Sequence, residues 1–136
     1  MTTPTGGRIV AFCCENSGMP AMEELLAGDG SAARKVRFVR VPCAGKVDEL
    51  YVMRALERGA EAVMVLACHT DSCQYLRGNI RAEKRLQRLG DLIEEIGLDR
   101  GRLRFANLAA NEAAHLEALL GETLDDLEQR DEAVRT

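Results

Sequence analysis

Residues 62–67 read Ala62-Val63-Met64-Val65-Leu66-Ala67, an unbroken apolar run that ends on Cys68. A run this short, rich in β-branched residues and preceded by Gly59, reads as a strand covered on both faces. A second run of the same kind spans Arg8 to Cys13 (Arg-Ile-Val-Ala-Phe-Cys) and is followed at once by Cys14. Two further strand-like segments are different in kind. Lys35 to Val41 carries Arg37 and Arg40, and Arg102 to Asn107 carries Arg102 and Arg104. Interspersed charge suits an edge strand, where it also discourages unwanted pairing.

Helical patterns fill the gaps. Ser17 to Ala27 has Pro20 near its start and Gly28 after it, and Val47 to Arg58 is stopped by Gly59. Asn79 to Ile96 is followed by Gly97, and a last helix runs from Glu112 to about Leu127. Strands separated by helices imply right-handed βαβ units and a parallel sheet. With the apolar runs central and the arginine-bearing runs at the edges, the order is 2-1-3-4. The expected fold is therefore α/β: a small four-stranded parallel sheet, flavodoxin-like, with helices on both faces. In the third helix Ala82, Leu86, Leu89, Ile93 and Ile96 form one stripe toward the sheet. Arg77, Arg81, Lys84 and Arg88 share the opposite side, read as a solvated face with docking of an acidic partner as the sharper alternative. Residues 1–120 are expected to form a single domain. Residues 121–136, where Glu122, Asp125, Asp126, Glu128, Asp131 and Glu132 face only Arg130 and Arg135, are expected to be an acidic C-terminal tail.

Composition narrows the function. The chain has 136 residues, 46% hydrophobic and 29% charged, as a soluble globular domain would have. Its net charge of −4, with 4% aromatic residues and no Trp, argues against nucleic-acid binding. No apolar run approaches the ~20 residues of a membrane span, and residues 1–7 lack the pattern of a signal peptide. A cytoplasmic location is expected, where thiols stay reduced. Five cysteines there point to metal or redox chemistry rather than to structural disulfides.

All five fall at carboxyl ends of strands. Cys13 and Cys14 end the first, Cys43 follows the second by two residues, Cys68 ends the third, and Cys73 closes the loop after it. That edge is where open α/β sheets bind ligands. Thiolates are soft donors that select iron–sulfur clusters, zinc or copper, and the helix N-termini beyond the edge favour negative charge. Structural zinc ordinarily uses two Cys-x2–4-Cys knuckles on hairpins; Cys68-x4-Cys73 has no second pair to match it, so a cluster leads zinc. A phosphatase-like Cys-x5-Arg loop fails, because Met19 and Pro20 stand where Cys13 and Cys14 would need an arginine. Cys-x-x-Cys, Gly-x-Gly-x-x-Gly and Walker patterns are absent as well. His69 reads as a surface or supporting residue and His115 as structural.

Taken together and in order, Phe12-Cys13-Cys14, Cys43-Ala44-Gly45-Lys46-Val47-Asp48, Gly59-Ala60, Cys68-His69-x3-Cys73-x-Tyr75-x2-Gly78-Asn79 and the later Arg85 resemble the delta subunit of methyl-viologen-reducing hydrogenase. The resemblance runs from about Arg8 to Leu120. It implies a non-catalytic electron-transfer subunit with a [2Fe–2S] cluster. Such a subunit relays electrons from a hydrogenase, or another electron-input module, to the flavoprotein subunit of a heterodisulfide reductase. By the same resemblance Cys14, Cys43, Cys68 and Cys73 are the expected ligands, with Cys13 as a substitute for Cys14. One departure stands out. Family members often carry Cys-Cys-x-x-Cys at the first site, where this chain has Ser17 in the third position. Ser17 is read as an N-cap for the first helix. The alternative function is a zinc-bound or cluster-free structural adaptor of the same kind of complex, and a thiol-based redox enzyme ranks last.

Overall fold

A computed structural model describes residues 9–28, 36–68 and 78–135. Along the chain come β1 (Ile9–Cys14), α1 (Gly18–Ala27), β2 (Val36–Val41), a 3-10 turn (Ala44–Lys46), α2 (Glu49–Glu57) and β3 (Ala62–Ala67). Then follow α3 (Gly78–Glu95), a second 3-10 turn (Arg100–Arg102), β4 (Leu103–Asn107) and α4 (Ala113–Arg135). The strands form one parallel sheet in the order β2-β1-β3-β4, as the apolar and arginine-bearing runs imply. β1 and β3 are buried at every position. β2 exposes Arg37 and Arg40, and β4 is half-buried throughout, which is the signature of edges. Arg102 lies just before β4, where its guanidinium donates to the carbonyls of Glu61 (2.8 Å) and Ala60 (2.9 Å).

Alternation along the central strands divides the core in two. Ile9, Ala11 and Cys13 of β1, with Ala62, Met64 and Leu66 of β3, face α1 and α4 and pack with Met22, Leu25, Leu116 and Leu120. Val10 and Phe12, with Val63 and Val65, face α2 and α3 and pack with Val52, Leu86, Leu89 and Ile93. Register sets the strand ends level. Cys13 pairs with Arg40 on one side and Leu66 on the other, Cys14 pairs with Val41, and Ala67 pairs with Asn107.

Helix ends account for two departures from the expected pattern. The α3 stripe holds at Ala82, Leu86, Leu89 and Ile93, but Ile96 is 68% exposed. α3 ends at Glu95, and Gly97 takes a left-handed φ of +90°. The chain then turns so that the Leu98 N–H returns to the Ile93 carbonyl at 2.9 Å. Leu98, not Ile96, therefore completes the stripe. The second departure lies beyond residue 120, where an acidic tail is expected and α4 instead continues through Gly121 to Arg135. Leu124 and Leu127 belong to the core cluster, and Asp126 accepts from Arg104 of β4 at 2.5 Å. The acids Asp125, Asp126 and Glu128 therefore lie on a helix that these leucines anchor to the domain. Among the described residues no helix is long and apolar enough to cross a membrane.

Candidate functional site

Four of the five cysteines can be followed to the carboxyl edge of the sheet. Cys14 is the last residue of β1, and Cys68 is the first after β3. Cys43 takes the N-cap position of the 3-10 turn that follows β2. Adjacent strands lie about 4.8 Å apart, so Cys14 sits between the exits of the strands that deliver Cys43 and Cys68. All three are buried, at 2%, 3% and 6% exposure, yet none belongs to either apolar cluster. Cys73, His69 and Tyr75 lie outside the described residues. Among the described residues, no three His, Cys, Asp or Glu side chains are grouped tightly enough to hold a metal ion.

Cys13 is different. It is fully buried in the cluster facing α1 and α4, and its Sγ donates to the Ala11 carbonyl at 3.7 Å. Neighbouring residues of a strand point to opposite faces, so Cys13 and Cys14 do not share surroundings. Burial first, and the nearby Cys14 second, push the Cys13 thiol up to about 12. It stays protonated through the physiological range and behaves as a small apolar core residue. The substitute role allowed to Cys13 does not fit this placement.

Three sets of polar contacts hold the thiol-bearing loops in shape. At the second strand, the Gly45 N–H donates to Cys43 Sγ at 3.4 Å, the kind of backbone donation that favours a sulfur carrying negative charge. Arg85 of α3 reaches back to the same loop, its Nη1 donating to the carbonyls of Gly45 (3.0 Å) and Val47 (2.6 Å). Where β3 ends, the Cys68 carbonyl accepts from Asn79 Nδ2 (3.1 Å) and from Asn107 Nδ2 (2.7 Å). Asn79 and Arg85 belong to the sequence pattern that carries the family resemblance. Asn107 does not, although a polar residue ending a strand beside a cysteine-bearing exit is a usable signal. Asn79 also accepts the Ile80 N–H at 2.8 Å and is only 2% exposed. Asn107→Leu is accordingly expected to cost about 1 kcal/mol in urea unfolding and Asn79→Leu more, because the second change also orphans a helix N–H.

Ser17 does not do what a serine there is expected to do. It holds the N-cap position of α1 at φ −140°, ψ −69°, but its side chain makes no capping hydrogen bond. The residue is 4% exposed, and its hydroxyl has no hydrogen-bond partner among the described residues. Leaving a buried hydroxyl unpaired costs about 1–3 kcal/mol.

These features define a parallel α/β domain whose carboxyl edge carries three buried cysteines, with backbone, amide and guanidinium contacts around them. The chain belongs to the methyl-viologen-reducing hydrogenase delta subunit family, whose model matches residues 9–130. It is 39% identical over 107 residues to the F420-non-reducing hydrogenase vhu iron-sulfur subunit of Methanocaldococcus jannaschii, covering 77% of this chain and 78% of that one. The protein of the same name from Methanopyrus kandleri is 37% identical, with 84% and 86% covered. A third relative is a subunit of the ferredoxin/F420H2-dependent CoB-CoM heterodisulfide reductase of Methanosarcina acetivorans. It is 37% identical over 89% of this chain, which spans 15% of that larger protein.

Proposed function

We propose that this chain is an electron-transfer subunit that binds a [2Fe–2S] cluster at the carboxyl edge of its sheet. Its place is between a hydrogenase, or another electron-input module, and a heterodisulfide reductase-type flavoprotein. The observation that carries this reading is the set of three buried cysteines, Cys14, Cys43 and Cys68, delivered by adjacent strand exits and excluded from both apolar clusters. Buried cysteines that merely fill space join the core, as Cys13 does. Cys73, which follows Cys68 by five residues, supplies the fourth thiolate.

The donor set suits the group. Four thiolates are the ordinary ligand complement of such a cluster, which accepts and releases one electron at a time. The chain's own residues do the rest. Gly45 directs its N–H at Cys43 sulfur, Arg85 braces the loop that carries it, and Asn79 with Asn107 fixes the exit of β3 at Cys68. Burial keeps water from the sulfurs, and hydrogen bonds to them tune potential. The relatives are named as an iron-sulfur subunit of a hydrogenase and as part of a heterodisulfide reductase, which supports both the cofactor class and the two partners.

Anaerobic reconstitution is the test. The purified chain is expected to take up about two irons with matching sulfide, to absorb in the visible, and to give an EPR signal on one-electron reduction. Cys43→Ser and Cys68→Ser should each abolish that signal, whereas Cys13→Ala should keep it. Stoichiometric zinc with no iron would overturn the reading in favour of a structural adaptor.

A further inference from the structure

The unpartnered hydroxyl of Ser17 has a position as well as a burial. The Ser17 N–H donates to the Cys14 carbonyl at 3.2 Å, closing a tight turn that folds Ser17 back over the end of β1. Its neighbour Gly18 is pressed against β3, where an added Cβ would lie 2.9 Å from Leu66 Cβ and 3.0 Å from the Leu66 carbonyl oxygen. Leu66 stands two residues before Cys68. Ser17 thus lies at the carboxyl end of β1, beside a helix start that is packed on Leu66 of β3, and is buried with no donor or acceptor to meet its hydroxyl among the described residues. Alanine at this point would remove the unpaired hydroxyl at no packing loss beyond one atom.

We propose that the Ser17 hydroxyl, at the carboxyl end of β1, donates its proton in a hydrogen bond to a sulfur of the bound cluster. The assignment rests on the cluster reading above. Ser17 is a positioning and potential-setting residue, not a ligand: Cys14, Cys43, Cys68 and Cys73 already supply four sulfurs. A donor aimed at sulfur is met more strongly when the cluster has gained an electron, because the acceptor is then more negative. Ser17 therefore raises the reduction potential. The same group is a burden in the iron-free chain, where nothing satisfies it.

Two opposite signs follow for Ser17→Ala, and a structural role would not produce them together. The iron-free variant should melt higher than the iron-free wild type. The reconstituted variant should hold as much iron as wild type while its reduction equilibrium shifts about tenfold toward the oxidised form, about 59 mV lower for a one-electron couple. Ser17→Thr, which keeps the hydroxyl, should restore the wild-type potential. Spectroelectrochemical titration reads the potential, iron analysis the loading, and thermal melting the stability. An unchanged potential at full loading overturns the assignment, and so does a lower melting point of the iron-free variant, which would mean the hydroxyl is satisfied within the protein. Iron loss confined to Ser17→Ala would also overturn it, in favour of direct oxygen ligation. A wild-type chain that takes up no iron defeats the cluster reading itself and this assignment with it, an outcome distinguishable from the other three.

Discussion

Gly18→Ala is expected to lower the stability of the domain by about 2–3 kcal/mol, because one methyl group has nowhere to go. Gly18 is the first residue of α1, and its backbone does not need the left-handed region, so alanine itself is conformationally acceptable there. The difficulty is distance. The new Cβ would approach the Leu66 Cβ to 2.9 Å and the Leu66 carbonyl oxygen to 3.0 Å, with Cys13 Cα at 3.5 Å. A flexible side-chain tip could move aside, but these are backbone and Cβ atoms of the two central strands. Relief requires α1 to lift from the sheet, which unpacks Met19, Ala21, Met22 and Leu25 from the core cluster. Gly121→Ala provides the opposite control. Gly121 lies within α4, and an added Cβ there meets nothing within 4 Å. Alanine should gain roughly 0.5–1 kcal/mol by restricting the unfolded chain and favouring helix. Urea titration of the two variants beside wild type measures both signs. Equal effects from the two glycines would mean that the approach of α1 to β3 is looser than these distances.

Gly18 also shows what the sequence made legible and what it withheld. Strand order followed from particular residues. The unbroken runs of β1 and β3 required cover on both faces, and Arg37, Arg40 and Arg104 marked the edges. These are local signals, set by whether a side chain tolerates burial, so they survive without knowledge of tertiary contacts. The common edge of Cys14, Cys43 and Cys68 followed from the same source, since a parallel sheet sends every strand out at the same side. Contacts between distant residues were another matter. Arg85 stands out only through the family pattern, and nothing in its neighbours announces a partner forty positions upstream. Arg81, Lys84 and Arg88 on the same helix are exposed. The misreadings share a cause. Ile96 continues the helical period, but Gly97 ends the helix first; Ser17 has the chemistry of a cap, but at φ −140°, ψ −69° its side chain makes no capping bond. In each case a local pattern was overruled by backbone geometry only one or two residues away.

Arg85→Leu is expected to have the largest effect on the site itself. Its Nη1 is the shared donor for two carbonyls, Gly45 at 3.0 Å and Val47 at 2.6 Å, which flank Lys46 in the turn that follows Cys43. Each bond is charge-assisted, and losing both leaves two part-buried carbonyls short of a donor, a loss of about 2–3 kcal/mol. The damage falls on one loop rather than on the sheet. Cys43 begins that turn, and the Gly45 N–H that meets its sulfur belongs to the residue whose carbonyl Arg85 holds. When the brace is gone, the turn is no longer held at α3, and Cys43 loses both its backbone donor and its fixed position relative to Cys14. Iron uptake on reconstitution should fall steeply, well beyond what a stability loss of that size would cause in a protein still folded at room temperature. Arg85→Lys should recover part of the loading, since an ammonium can also donate to more than one carbonyl, although from a different point in space. Arg88→Leu, on the exposed side of α3, removes the same charge without touching the loop and should load iron as wild type does. Iron content and near-ultraviolet circular dichroism across the three variants separate the brace from a general effect of positive charge on the helix. Equal iron loss in Arg85→Leu and Arg88→Leu would assign the effect to charge and remove the brace from the account.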